Sequence, residues 1–459
     1  MKARIMTTAR VPSRAPSGRR TSADARRACA AFGLIVTPNS DSEQPPPIAP
    51  SDAEIDAVLG SSITLVRGAS GSGKSRRLAG LEAALIHRGA RVLRVRQIKD
   101  GSMACFDAIG STAEQSCAAL AMGGLAEPRI WALPVSCLSV GERSRLELAA
   151  TMNRARRGDV VIADEFCTPL DRVTAASVCA TVQRWAKRLG IHFVAASAHE
   201  DLFEMFGADR VLDAASGDIE SRDERAAIDP VRYEEGTIAD YDALGHLHYL
   251  GGRPATWTRV IRAIRRSPVL GEILAGVLVV SMPTLNSSWR RQPWGDRYSH
   301  ADKRRSASRL NRELRCISRV VVDRRSRGLG IASGLVRAYL ADAQTPATEA
   351  IAAMGSVCPF FERAGMIGYT VPTPIPNVRL LDALVCLGIQ PADLPSENIQ
   401  ENTLLHRELM HWARSSRMLR GNTTPVRTIA LMAACRLLSQ PRAFAWRTDG
   451  EHDVYQENK

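Results

Sequence analysis

The chain has 459 residues, 45% of them apolar and 24% charged, with a formal charge of +13 carried by 55 arginines and only six lysines. That length fits two domains with sizeable cores, and the longest strongly apolar run, Ile273 to Val280, is too short to cross a bilayer. Ten singly spaced cysteines without a C-x-x-C pair argue against a zinc site and for thiols in a reducing cytoplasm.

Residues 1–50 read as a basic, largely disordered N-terminal segment, interrupted by a short ordered piece from Arg27 to Leu34. From Ser61 onward β-rich and helical runs alternate, the pattern of an α/β sheet. Ser62 to Val66 predicts a strand and Lys74 to His87 a helix. Between them Gly68-Ala69-Ser70-Gly71-Ser72-Gly73-Lys74-Ser75 is a full G-x-x-x-x-G-K-S turn. A strand-to-helix turn of this kind binds phosphate oxygens through backbone N–H groups at Gly68, Ser70, Gly71, Ser72 and Gly73. Lys74 reaches the β and γ phosphates and the Ser75 hydroxyl ligates magnesium, so ATP with Mg2+ is the expected cofactor. Further on, Asp159 to Glu165 is an apolar strand ending in two carboxylates. Asp164 is expected in the magnesium sphere and Glu165 beside the attacking water.

Between these motifs lies Leu138-Ser139-Val140-Gly141-Glu142-Arg143. Pro169-Leu170-Asp171 follows the carboxylates, and the strand Ile191 to Ala196 leads to His199. With the hairpin from Asp209 to Ile219, this order resembles the ATP-binding cassette family over roughly residues 55–222. The resemblance implies a signature motif at Ser139 and Gly141, a D-loop at Asp171 and a switch histidine at His199. It also implies an ATP-dependent homodimer, in which the signature of one protomer completes the ATP site of the other. Val140 and Glu142 depart from the L-S-G-G-Q pattern. Gln97 and Gln115 both compete for the Q-loop. The stretch from Lys74 to Ser139 is short for the helical subdomain. No aromatic stands just upstream of the glycine loop to stack an adenine. With no membrane segment, a transporter partner ranks last.

Residues 223–239 read as a polar linker, and a second α/β region covers 240–376. Asp240 to Tyr249 shows alternating polar groups and predicts a strand with His246 and His248 on one face. Leu274 to Met282 predicts a central strand and Ile317 to Val322 another. The turn Arg325-Ser326-Arg327-Gly328-Leu329-Gly330 and a helix from Ile331 to Ala343 follow. Cys358-Pro359-Phe360-Phe361-Glu362-Arg363-Ala364-Gly365-Met366 and Tyr369 come later. These motifs resemble the GNAT N-acyltransferase superfamily. The resemblance implies that Arg325 to Gly330 cradles the pyrophosphate of acetyl-CoA or another acyl-CoA, with backbone groups of Val320 and Val322 along the thioester. Tyr369 is the candidate acid for the leaving thiolate, against a reading as core. Cys358 is a nucleophile or a buried thiol. Cassette and transferase together resemble ABC-type ATPases fused to predicted acetyltransferases.

Arg253 to Arg327 holds 18 basic and 5 acidic residues, with Trp257, Trp289, Trp294 and Tyr298 among them. Arginines interleaved with aromatics suit nucleic-acid phosphates and bases; the alternative is a solvated basic face over packed tryptophans. Residues 377–459 read as a helical, basic C-terminal extension. The expected fold is therefore an α/β P-loop NTPase of ABC type (51–222), a GNAT-like α/β domain and that extension. The expected function is that of an ATP-binding and ATP-hydrolysing cassette protein whose fused GNAT-like domain transfers an acyl group from acyl-CoA onto an amine, with nucleic acid as a candidate acceptor. The rival readings are a non-enzymatic ATP-dependent nucleic-acid or ribosome-associated binder and a transporter ATPase.

Overall fold

A computed structural model describes residues 23–31, 46–110, 112–199, 201–221, 231–248, 252–267, 271–299, 301–396, 401–415, 424–439 and 441–448. Much of the expected N-terminal segment lies outside them, although Ala23–Ala31 is helical.

The first unit is a sheet of β1 (Ile63–Arg67), β2 (Val92–Arg94), β3 (Val160–Ala163), β4 (His192–Ala196), β5 (Arg210–Asp213) and β6 (Ile219–Ser221), in the order β2-β3-β4-β1-β5-β6. Neighbours run parallel except β5 with β6. The sequence of β3, Val-Val-Ile-Ala, is apolar throughout because both faces are covered. On one face, Ile55 and Val58 of helix Asp52–Leu59 and Leu78, Leu81 and Leu85 of helix Lys74–His87 pack against Val66, Val160 and Ile162. On the other, helices Ala113–Met122, Val140–Arg154 and Arg172–Leu189 bring Leu120, Leu146 and Val182 onto Leu65, Val161 and Phe193. Parallel strands release their following loops at one edge, so the turns after β1, β3 and β4 emerge together.

The second unit is a seven-stranded sheet of β7 (Arg232–Glu235), β8 (Arg259–Ser267), β9 (Gly271–Ser281), β10 (Leu314–Val322), β11 (Ala347–Ala352), β12 (Ile367–Thr370) and β13 (Arg442–Arg447). Their order is β12-β13-β11-β10-β9-β8-β7. Only β10 and β11 are parallel among the described neighbours. Helix Ile331–Ala341 makes the crossover between them, burying Leu335, Val336 and Tyr339 against Ala263, Leu278 and Phe444.

Three expectations change here. The segment read as a linker contains β7, which pairs with β8 from Arg232↔Ile264 to Glu235↔Ile261. The expected strand at Asp240 to Tyr249 is instead the helix Ile238–Gly245. It is opened by a capping box between Thr237 and Asp240 and buries Tyr241 and Leu244 at helical spacing. The expected C-terminal extension is an insertion followed by a strand. Helices Ile375–Leu387, Thr403–Ser415 and Val426–Leu438 share a core of Leu384, Leu409, Trp412 and Ile429, after which β13 returns between β11 and β12.

Candidate functional site

The first site gathers at the edge where β1, β3 and β4 end. After β1 the chain turns through Gly73, whose φ of 96° suits glycine and which caps helix Lys74–His87 without a side-chain bond. The first N–H groups of that helix therefore have no side-chain cap. Lys74 Nζ arches over the turn and donates to the carbonyls of Gly68 and Ala69, 2.7 Å each. Ser72 Oγ is buried there without a partner. Amides, ammonium and an orphaned hydroxyl around one turn form a donor set that fits a nucleotide's phosphates.

Asp164 and Glu165 follow β3. Glu165 is exposed and takes a φ of 50°, an uncommon conformation for glutamate. Asp164 Oδ2 faces Arg94 Nη2 at 3.4 Å, and Arg94 Nη1 holds Glu82 Oε2 at 2.9 Å. Arg94 ends β2, so a cation from the neighbouring strand sits against the expected magnesium ligand. His199, after β4, is gripped by Arg172 Nη2 at 2.9 Å from Nδ1, and Asp201 anchors Arg172 Nε at 2.9 Å. Sequence reasoning missed both arginines, because neither belongs to a motif. Gln97 lies just beyond β2, whereas Gln115 begins helix Ala113–Met122. Residues 46–50 cross the helix Lys74–His87: Ile48 N donates to Arg76 O (3.2 Å), and a Cβ on Gly73 would lie 3.2 Å from Ile48 Cδ1. An aliphatic side chain thus borders the glycine turn, where the sequence offers no aromatic.

The signature segment has a local physical cause. Ser139 caps helix Val140–Arg154, and Glu142 accepts from the Ser139 amide (3.0 Å) and hydroxyl (2.8 Å), completing a capping box. Burial pushes the Glu142 carboxyl up, but the Ser139 amide and hydroxyl, together with the Arg145 and Arg129 guanidiniums, hold it below the ordinary range. Gly141 lets the helix approach the next motif, since a Cβ there would stand 3.0 Å from Leu170 Cδ2. Asp171 caps helix Arg172–Leu189, accepting from Thr174 N at 3.0 Å.

The second loop is placed differently from the expectation. A Cβ on Gly328, whose φ is 78°, would meet Met122 Cα at 2.9 Å and Ala121 O at 3.2 Å, and one on Gly330 would meet Arg184 Nη2 at 2.9 Å. Arg324 pairs with Glu127 at 2.8 Å, and Arg327 donates to Ala126 O at 3.0 Å. Ser326 and Leu329 are buried. These glycines admit the first unit's helices, so the turn is no open cradle. Val320 and Val322 lie on β10 beyond Ile317, where pairing with β11 ends and pairing with β9 continues. Tyr369 sits on β12, three strands from β10, with its ring 6.2 Å from Trp289 in an apolar cluster, and burial raises its hydroxyl pKa. That placement removes it from the Val320–Val322 edge. Trp289 and Trp294 are core residues at 1% and 7% exposure, which withdraws them as base-stacking platforms. His246 caps the helix Ile238–Gly245. Cys358 is a free thiol hydrogen-bonded to the free thiol of Cys117 in the first unit, and that bond lowers the Cys358 pKa.

No protein-family model matches the chain, and neither does any curated protein. Among solved structures, it is similar to CbiO1 from Clostridium perfringens, part of an ABC transporter complex, at 18% identity over 33% of this chain and 74% of that one, TM-score 0.26. A dimeric bacterial ABC transporter cassette is similar at 15% identity over 35% and 85% of the two chains, TM-score 0.29. A bacterial Atm1-family ABC exporter with ATP bound is similar at 20% identity over 35% of this chain, which spans 34% of that one, TM-score 0.28. With values this low, the functional argument rests on the residues themselves.

Proposed function

We propose that the first unit is an ATP-binding-cassette-type ATPase that works as an ATP-bridged homodimer. The observation that carries this reading is the convergence of Lys74, Asp164, Glu165 and His199 on one edge of a parallel sheet. ATP would supply the phosphoryl group, and magnesium, when bound, would offset the charge developing on it. The amides from Gly68 to Gly73 orient the phosphates. Lys74 exchanges the Gly68 and Ala69 carbonyls for phosphate oxygens. Ser75 and Asp164 would hold the metal, which requires Asp164 free of Arg94; Glu165 would orient the water, and His199 would donate a ring N–H. Ser139 and Gly141, with Asp171 nearby, complete the partner's site. Magnesium-dependent hydrolysis should fall by about a hundredfold or more in both Lys74→Ala and Glu165→Gln. Wild-type turnover in Lys74→Ala removes the basis of this reading. No described helix is long and apolar enough to cross a membrane.

A second reading, GNAT-type acyl transfer from acetyl-CoA or another acyl-CoA to an amine, draws on one feature. β10 parts from β11 after Ile317, leaving an edge along Val320 and Val322 that could align an extended chain. The 325–330 turn does not fit the carrier's pyrophosphate as the resemblance implies, because helices of the first unit cover it. No transfer step is therefore assigned to it, and Tyr369 has no part in one. Nucleic acid remains a candidate partner through the exposed arginines of helix Lys303–Glu313 rather than through the tryptophans.

A further inference from the structure

The second unit meets helix Ala113–Met122 at two places. Gly328 lies against its last turn, where an added Cβ would meet Met122 Cα at 2.9 Å. Nearer the middle of the helix, the Cys117 thiol donates to the sulfur of Cys358. Both are free thiols. Cys117 is 4% exposed, whereas Cys358 is only half-buried and open to small solutes. The surrounding packing holds the two sulfurs in register. Leu120, on the Cys117 helix, shares a core with Leu146 of helix Val140–Arg154. Cys358 sits in a tight turn: its N–H donates to Met354 O and its carbonyl accepts from Phe360 N, 2.8 Å each. Phe361 anchors that turn, with its ring 4.9 Å from Phe444.

The two thiols are chemically unequal. The hydrogen bond from Cys117 is the largest influence on Cys358 and lowers its pKa, and Arg363 adds to it against burial and Glu114. The same bond, with burial, pushes the Cys117 thiol up. A thiolate is the nucleophile in thiol oxidation, and an accessible low-pKa cysteine beside a second thiol can be oxidised first and then resolved by its neighbour. Cys167 and Cys179 also adjoin each other, but both are buried in the first unit's core, at 3% and 0% exposure. That second pair is closed to a solute while the protein is folded.

We propose that Cys358 and Cys117 form a hydroperoxide-sensitive site that closes a reversible disulfide between the two units. The Cys358 thiolate attacks one oxygen of hydrogen peroxide. An S–O bond forms as the O–O bond breaks, giving a sulfenic acid and hydroxide. The hydroxide takes up the proton that Cys358 lost on ionising. The Cys117 sulfur then attacks the sulfenic sulfur, and the S–S bond forms as the S–O bond breaks. The departing hydroxyl leaves as water with the Cys117 proton. Two thiols are oxidised and one peroxide is reduced to two waters. The bond ties the helix that packs on Val140–Arg154 to the second unit. The inference depends on neither ATP hydrolysis nor acyl transfer.

The test treats the reduced full chain with hydrogen peroxide, digests it with trypsin without reductant, and reads the peptides by mass spectrometry. Peptides 100–129 and 338–363 should appear joined, with fragmentation assigning the bond to Cys117 rather than Cys105, and dithiothreitol should separate them. Dimedone present during oxidation traps sulfenic acid. It should label Cys358 severalfold more in Cys117→Ser than in wild type, where Cys117 consumes the sulfenic acid. Cys358→Ser should leave Cys117 unlabelled. The cross-link in the unmutated chain needs neither variant, so a variant that unfolds leaves that measurement decisive. The site is overturned if neither thiol reacts, or if Cys358 proceeds to sulfinic acid with Cys117 intact. Labelling of Cys117 in a folded Cys358→Ser chain also overturns it. So does a cross-link that forms only together with oxidation of Cys179, because that pair is reached only on unfolding.

Discussion

At the scale of single residues, the role proposed for His199 depends on a neighbour that no motif announces. A guanidinium has donors and no acceptor, and it stays protonated. The 2.9 Å contact from Arg172 Nη2 therefore makes His199 Nδ1 an acceptor and leaves the ring hydrogen on Nε2. Asp201 fixes the guanidinium from its other side. Arg172→Met should lower kcat by about tenfold with little change in KM for ATP, because the ring then loses its tautomer and orientation in the transition state rather than in binding. Arg172→Lys should recover part of the rate, since an ammonium also donates to Nδ1. An Arg172→Met enzyme with unchanged kcat would refute the role. Lys74, Asp164, Glu165 and His199 were legible because each stands in a fixed local pattern. Arg94, Arg172 and Ile48 were not, because each reaches the site through a contact that the fold creates.

At the scale of elements, local chemistry explains most of what could be read. The apolar run ending in Asp164 is a buried parallel strand, and the glycine turn opens the helix at Lys74, the expected residue. The capping residues decide two departures. Glu142 stands where the pattern it resembles has glutamine and closes the cap on Ser139, while Thr237 and Asp240 make a helix of a stretch whose alternation suggested a strand. In the inserted helices, Arg379 on Ile375–Leu387 and Arg407 both grip Glu408 on Thr403–Ser415, with Arg379 Nε at 2.6 Å. The Arg379 hydrogen bond is the largest influence on Glu408, and its carboxyl is depressed to about 2. A carboxyl whose folded value lies below its unfolded one stabilises fully above the unfolded value, near pH 4.3, and loses that contribution as pH falls towards 2. Thermal unfolding of wild type and Arg379→Ala should therefore differ at neutral pH and converge as acid is added. A difference that persists at low pH would assign the Arg379 effect to packing instead.

At the scale of the whole molecule, the topology of the second sheet carries a sharper claim than any motif. The chain leaves β12 at Thr370, builds three helices around their own apolar core, and returns as β13 with Arg442 paired to that same Thr370. Sequence reading saw only a helical, basic tail, because one six-residue strand after three helices gives no periodic signal of where it belongs. Pairing places it between β11 and β12, with Phe444 and Ala445 filling both faces of the sheet. A tail and an insertion respond oppositely to cutting. Ending the chain at residue 440 removes an interior strand, leaves β12 without its neighbour, and uncovers the Phe361 and Trp289 clusters that β13 closes. That truncation should give a protein whose second unit is protease-sensitive and unfolds without a cooperative transition. Replacing residues 371–441 with an Asn-Gly turn should do far less harm, because Thr370 and Arg442 are already opposite each other and a two-residue turn joins such a pair. Limited proteolysis and thermal unfolding of the two variants decide the matter. A stable second unit in the truncated chain, or its loss in the turn-bridged one, would make residues 377–459 an extension after all.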